Sequence, residues 1–200
     1  MSAGTRTTAD NIAAYVNQGG VFLTGYMTGM HDENDLIVTG GYPGYLRELC
    51  GIWVEEIDAY ADGERIPVTF ADGTGAHGQM VASIVELEGA RSLAQYGGTS
   101  FYAGTPAVTV RHTGRGAAYY VGTALDNAAM GHLVDTIARE YHIDTVESAE
   151  DVEIVRRHSE DGGEMFIVLN TCAEPRTMVN PYTGQPLALD AFDVRILTRQ

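Results

Sequence analysis

The sequence predicts an α/β domain, an open sheet with helices on both faces, followed by a small antiparallel β domain. Three observations carry this. A helix, a helix stop and a short apolar strand follow one another in the stretch from Tyr15 to Leu49. A strand-rich, turn-rich region from Asp58 to Tyr120 then leads into a helix capped by Asp126. From Val146 onward the apolar residues alternate, as on half-buried antiparallel strands. Boundaries of 1–145 and 146–200 follow.

The first helix is expected from the Thr7-x-x-Asp10 capping pattern to about Gln18, with Ile12, Tyr15 and Val16 as its apolar run. Gly19 and Gly20 stop it, because glycine takes the left-handed C-terminal position without steric cost. Val21-Phe22-Leu23 reads as a strand covered on both faces of a parallel sheet. A doubly wound domain normally opens with such a strand, so an opening helix suggests a further strand upstream. The acidic tip His31-Asp32-Glu33-Asn34-Asp35 comes next, at the strand end where ligands and partners of open α/β sheets usually sit. Leu36-Ile37-Val38 is either a short strand or an ordered loop segment. Pro43 suits a helix start, Leu46, Leu49 and Cys50 form its buried stripe, and Gly51 ends it.

Strands are expected at 52–57, 66–70, 80–87, 107–111 and 117–121, punctuated by Asp62-Gly63, Asp72-Gly73 and Gly97-Gly98. Arg111 to Gly116 reads as a hairpin. The Asp126 helix runs to about Tyr141 on a stripe of Leu133, Val134, Ile137 and Tyr141. In the tail, Ser159 to Gly163 is a hairpin loop and Phe192 to Ile196 a final strand.

Composition excludes several functions. The 200 residues carry 12 basic and 27 acidic side chains, a net charge of −15, and every basic residue is arginine. Nucleic acids and anionic membranes both require a cationic face, so neither is an expected partner. No apolar run approaches the length of a membrane span, and Met1-Ser2-Ala3-Gly4-Thr5-Arg6 lacks the apolar core of a signal peptide, so the expected location is cytoplasmic. Cys50 and Cys172 are expected as free thiols.

The chemistry-bearing motifs fail on mechanism. His31-x-Glu33 resembles the His and Glu that orient a cysteine nucleophile in amidotransferase-type domains. That nucleophile sits on a glycine-flanked strand-to-helix elbow, whereas Cys50 lies inside a predicted helix between Leu49 and Gly51, with Glu48 and Ile52 where the elbow glycines belong. Gly73-x-Gly75-x-x-Gly78 has dinucleotide-loop spacing, but a strand follows it where the mechanism needs a helix N-terminus, so it reads as a glycine-rich hairpin. Asp32, Glu33 and Asp35 do not match a calcium loop, because Leu36 stands at its fifth position. They form an exposed acidic turn or pair with arginine of a neighbouring subunit. The remaining histidines have no metal-ligand spacing. No cofactor, metal or catalytic residue is expected.

Asn17-Gln18-Gly19-Gly20-Val21-Phe22-Leu23-Thr24, then Asp32-Glu33-Asn34-Asp35, then Gly40-Gly41-Tyr42-Pro43-Gly44 with Leu46-Arg47 resemble the trimerisation domain of family 42 β-galactosidases. The tail, with Pro181-Tyr182-Thr183-Gly184 and Phe192-Asp193-Val194, resembles the C-terminal β domain of the same enzymes. The resemblance implies a flavodoxin- or class I glutamine amidotransferase-like open sheet, N-terminally truncated. It also implies self-association as a homotrimer or docking to the absent catalytic barrel, and a non-catalytic role for this region. His31, Asp32, Glu33, Asn34, Asp35 and Tyr42 are the candidate subunit-interface loop. Two alternatives stand beside this reading: a stand-alone amidotransferase-like hydrolase using Cys50, and a carbohydrate-binding module on Tyr182 and Phe192.

Overall fold

The computed structural model describes residues 5–160 and 162–199; Met1 to Gly4, Asp161 in the predicted Ser159–Gly163 loop, and Gln200 lie outside them. Helix α1 (Arg6–Asn17) leads into strand β1 (Val21–Gly25), and a 3-10 turn (Gly44–Leu46) runs into the short helix α2 (Arg47–Cys50). Strands β2 (Ile52–Ala59), β3 (Ile66–Phe70), β4 (Gly75–Gln79), β5 (Val81–Leu87), β6 (Arg91–Tyr96), β7 (Pro106–Thr113), β8 (Gly116–Val121) and β9 (Ala124–Leu125) follow, and helix α3 (Asn127–Glu140) comes after them. The remaining strands are β10 (Val152–His158), β11 (Glu164–Asn170), β12 (Arg176–Val179), β13 (Pro186–Leu189) and β14 (Val194–Thr198). Two compact units are present, 1–141 and 142–200.

In the first unit seven strands form one open sheet in the order β1-β8-β7-β6-β3-β4-β9, and β2 pairs with β5 in a separate two-stranded sheet. Alternation along β8 shows how the layers form. Ala117, Tyr119 and Val121 join a core with Ala129, Leu133 and Ile137 of α3. Ala118 and Tyr120 join a second core with Ala9 and Val16 of α1, Leu49 and Cys50 of α2, and Ile52 and Val54 of β2. Successive side chains of a strand point to opposite faces, so the helices lie on both faces of the sheet, as expected.

The sheet itself departs from the expectation. Only β1 and β8 run parallel; every other pair is antiparallel, and the unit is mostly β with three helices. The reason is connection length. Parallel neighbours need a crossover of a dozen residues or more, whereas Asp72-Gly73 and Gly114-Arg115 allow only tight returns between consecutive strands. The strand buried on both faces is β8, not β1. Strand β1 lies at the sheet edge, with Leu23 38 % exposed. Its neighbouring bonds, Tyr26 N–H to Val121 O and Ala117 N–H to Gly20 O, direct the even-numbered backbone groups toward β8. The odd-numbered groups of Val21 and Leu23 therefore face the open edge.

Local signals were mostly obeyed. The first helix is capped by Thr5 and not Thr7: Thr5 Oγ1 accepts from Thr8 N–H at 3.1 Å. Tyr15 is exposed, and Ala9 takes the buried place expected for it. The Gly19-Gly20 stop is a six-to-one closure, with Gly20 N–H donating to Tyr15 O at 3.0 Å. Leu36 to Val38 is an ordered loop segment, joined by an isolated bridge between His31 and Ile37. The glycine-rich segment at 73–78 is the β3–β4 hairpin and strand β4.

Asp126 caps α3 with a 2.9 Å bond from Ala129 N–H and also accepts from His77 N–H at 3.0 Å. The Ala129 amide, ahead of the His77 amide, holds its carboxyl below the usual range. A carboxyl lowered in the folded state stabilises at pH above the ordinary carboxylate range and loses that contribution as pH falls through it. Asp126→Ala is expected to cost about 1 kcal/mol near neutral pH. Melting curves at pH 7 and pH 3 check this, and the difference from the parent should shrink at the lower pH.

In the second unit β10, β11 and β14 form an antiparallel sheet and β12 pairs with β13, around a core of Val152, Phe166, Val168, Met178 and Leu189. Buried Asn170 fastens its loops by donating to Glu174 O and Asp190 O, both at 2.8 Å.

Candidate functional site

The stretch from Thr28 to Gly44, between the turn after β1 and the 3-10 turn, forms a finger. Its neck is a close backbone approach. A Cβ on Gly29 would lie 2.2 Å from Pro43 O, and one on Gly44 would lie 2.5 Å from Gly29 O. Both glycines also hold positive φ, +70° and +59°, which glycine adopts freely. Beyond the neck, Val38 N–H donates to Met30 O and Asp32 N–H to Leu36 O, both at 2.8 Å. The tip closes on Asp32, whose Oδ1 accepts from Asn34 N–H and Leu36 N–H at 2.9 Å each. Asp35 takes the left-handed backbone position (φ 62°), which Asp tolerates better than most residues.

The candidate interface residues thus fall in two places. Asp32 shapes the tip, and Glu33, Asn34 and Asp35 are exposed there. His31 sits lower, bridged to Ile37, and lines a narrow apolar crevice with Thr8, Ile12, Thr28, Val38 and Tyr45. Tyr42 is separate from the tip: it is bridged to Val54 of β2, whose N–H donates to Tyr42 O at 2.9 Å, and it packs on the second core.

Three residues brace this limb: Arg47, Trp53 and Glu88. The Arg47 guanidinium binds both carboxylate oxygens of Glu88, donates to Gly40 O at 2.7 Å, and lies 5.2 Å from the Trp53 ring centroid. Hydrogen bonding to Glu88 raises the Arg47 pKa, and the same bond lowers that of Glu88. Gly41 packs on the Trp53 edge, where a Cβ would fall 2.0 Å from Nε1. Arg47 and Glu88 are 41 residues apart, so no local pattern signals the pair.

The finger and its surroundings display apolar side chains in solvent: Leu36 (64 % exposed), Ile37 (61 %) and Met27 (51 %), besides Leu23 on the strand edge. Met27 is held out on the turn that follows β1, where Thr24 Oγ1 donates to Thr28 Oγ1 at 2.7 Å. No residue from Asn11 to Met30 is charged, in a chain where one residue in five is. A neutral apolar surface on a strongly acidic chain is suited to contact between copies, since like charge opposes it elsewhere.

The chemical alternatives gain nothing from the geometry. Cys50 is buried inside α2, and desolvation pushes its thiol up to about 12, the direction that suppresses the thiolate. The carboxyl groups of Asp72, Glu88, Asp126 and Asp151 are all displaced downward, held by Thr74, Arg47, Ala129 and Arg176 respectively. A glycosidase acid needs the opposite shift. Among the described residues, no group of three or more His, Cys, Asp or Glu is placed to hold a metal ion. The Tyr182 ring packs on Phe166 at 5.0 Å with the Arg199 guanidinium 5.9 Å from its centroid, and Phe192 is exposed. No helix of the described residues is long and apolar enough to cross a membrane.

Fold and finger together define a β-rich domain with an open strand edge and a braced loop whose tip is acidic and whose flank exposes Leu36 and Ile37. Residues 3–144 match the family model described as the β-galactosidase trimerisation domain, and the chain belongs to that family. It is 40 % identical over 171 residues to the β-galactosidase LacA of Lactobacillus acidophilus, covering 85 % of this chain and 25 % of that protein. To BglY of Alicyclobacillus acidocaldarius it is 37 % identical over 211 residues, covering 96 % of this chain and 30 % of the relative. The solved β-galactosidase of Rahnella sp. R3 superposes with a TM-score of 0.85 at 33 % identity, over 99 % of this chain and 31 % of that one. That of Bacillus circulans sp. alkalophilus also gives 0.85, at 29 % identity, over 100 % and 32 %. The chain therefore spans between a quarter and a third of the length of these relatives.

Proposed function

We propose that this chain is a non-catalytic oligomerisation and accessory region of a cytoplasmic β-galactosidase that hydrolyses terminal β-D-galactosides. The observation that carries the reading is the match of residues 3–144 to the trimerisation-domain family. Its partners are further copies of itself, in a homotrimer, and the catalytic barrel of the family. Residues 1–145 form the trimerisation domain and 146–200 a C-terminal β domain. The parallel β1–β8 pair with helices on both faces supports an amidotransferase-like ancestry for the first. The finger is the subunit contact, with His31, Asp32, Glu33, Asn34 and Asp35 toward the neighbour and Tyr42 holding the base. Supporting this are the braced neck, the uncharged segment 11–30 that leads into it and the exposed Leu36, Ile37 and Met27.

Sedimentation equilibrium over a wide concentration range tests the reading. A mass three times the 21.5 kDa of the chain is expected. A monomer at every concentration would count against assembly through this surface.

A further inference from the structure

Strand β11 carries an unbroken apolar run, Met165 to Leu169, the pattern of a strand covered on both faces. One face has its cover. Phe166 and Val168 enter the core of the second unit, joined by Ile154 of β10 and Leu197 of β14. The other face belongs to no hydrophobic core of the described residues. Residues directly opposite on paired strands share a face, so the register lays this one out as three rows across β10, β11 and β14. The middle row is Val155, Ile167 and Ile196, with Ile196 66 % exposed. One flanking row is Glu153, Leu169 and Val194; the other is Arg157, Met165 and Thr198. Glu153 and Arg157 thus stand on one strand at equal distances either side of the middle row. No ion pair among the described residues takes up either.

We infer that this face is a second self-association surface, on which two copies of the chain meet about a twofold axis lying across the strands. The charges choose the axis. A twofold along the strands would set Glu153 over the partner's Val194 and Arg157 over the partner's Thr198, burying both charges unpaired. A twofold across the strands sets each Glu153 over the partner's Arg157, each Leu169 over the partner's Met165, and the middle row over itself. Such a surface is self-complementary, as a twofold contact requires. The result is the aligned packing of a β-sandwich, two apolar sheet faces about 10 Å apart. With one acid and one arginine the face is neutral, on a chain whose net charge of −15 repels other copies elsewhere. Its nine positions cover roughly 300 Å² at ordinary strand spacings. A stable pair buries about 800 Å² on each partner, so this pairing is weak and concentration-dependent.

The finger lies in the first unit and this face in the second, so the two contacts can be removed independently. Sedimentation equilibrium up to about 1 mM, the range of a weak contact, is run on the full chain carrying Leu36→Asp and Ile37→Asp to disable the finger. That chain is expected to pair, reaching twice 21.5 kDa. Adding Ile196→Asp should weaken the pairing roughly tenfold or more, with circular dichroism unchanged because the side chain is exposed. Glu153→Arg alone and Arg157→Glu alone should each weaken it roughly tenfold, by setting like charges face to face, and the two together should restore it. A merely structural role for either residue would show no such rescue. These reversals read the second unit's face whether or not the finger is the trimer contact. In the chain with its finger intact, Ile196→Asp should leave the trimer in place. A monomer at every concentration for the finger variant, pairing unmoved by Ile196→Asp, or charge reversals that the double variant does not rescue would each overturn the inference.

Discussion

Gly116→Ala is expected to lower the melting temperature of the first unit by roughly 6–12 °C, the effect of an overpacking cost near ~3 kcal/mol. The added Cβ would fall 2.1 Å from Gly20 O, 2.4 Å from Val16 O and 3.1 Å from the Gly19 carbonyl carbon. All three are backbone atoms at the end of α1 and the entry to β1, so no side-chain rotation relieves them. Contact at such distances forces the helix end away from β8 by about an ångström. It also opens the start of the parallel ladder, where Val21 lies beside Ala117 and Ala117 N–H reaches Gly20 O at 3.3 Å. Gly20→Ala is the control. Its Cβ would meet the Tyr15 ring at 2.2 Å, but that ring is exposed and free to turn, so a change of less than ~1 kcal/mol is expected. Thermal melts followed by circular dichroism compare the two. Equal melting temperatures for both variants would show that the approach of α1 to β8 is not fixed by Gly116.

That contrast marks where sequence reasoning reaches its limit. Glycine at 116 is read from sequence as the close of a tight hairpin, which it is, since Thr113 and Gly116 flank Gly114-Arg115. Its second reason, a helix end pressed against it, comes from a segment nearly a hundred positions earlier. Features decided within a few residues were legible: the Gly51 stop, the strand at Ile66–Phe70, the Asp126 cap. Strands decided by pairing were not. Strand β4 reads Gly-Ala-His-Gly-Gln and has little β propensity; it is a strand because Ile66 to Thr69 pair with it on one side and Ala124-Leu125 on the other. Strand β6 is likewise held by β3 and β7. The apolar run of β1 matched a doubly covered strand because composition reports burial and not sheet order; the edge position follows only from the topology.

The finger divides in the same way. Its acidic tip was visible as a cluster, and Asp32 organises it through bonds spanning four residues at most. What makes it stand out from the domain is non-local: the Gly29–Pro43 neck, the Arg47–Glu88 pair and the Trp53 edge under Gly41. Attention to charge alone also misplaces the centre of the surface. The acids surround it, while Leu36 and Ile37, read as a possible strand, are the exposed apolar groups beside them.

Those two side chains set the last and largest expectation for assembly. Leu36→Asp combined with Ile37→Asp should weaken self-association of this chain by roughly 100-fold or more, with the fold intact. Burying a large aliphatic side chain contributes about 1.5–3 kcal/mol when it goes from full exposure to none. Both residues are already about two-fifths shielded, which leaves on the order of 1–2 kcal/mol each for an interface to gain. At 1.4 kcal/mol per tenfold, that is about a factor of ten per residue before any charge term. The new carboxylates join Asp32, Glu33 and Asp35 on a chain already at −15, so repulsion adds to the loss, and more strongly at low salt. Stability should hardly change, because neither residue belongs to a hydrophobic core of the domain. Sedimentation velocity gives the association and circular dichroism the fold. The Leu36→Ala, Ile37→Ala pair separates the apolar loss from repulsion: it should weaken association less than the Asp pair and show little dependence on salt. If the Asp pair assembles like the parent at the same concentration and salt, the contact lies elsewhere, and the open edge of β1 with Leu23 and Met27 becomes the surface to alter next.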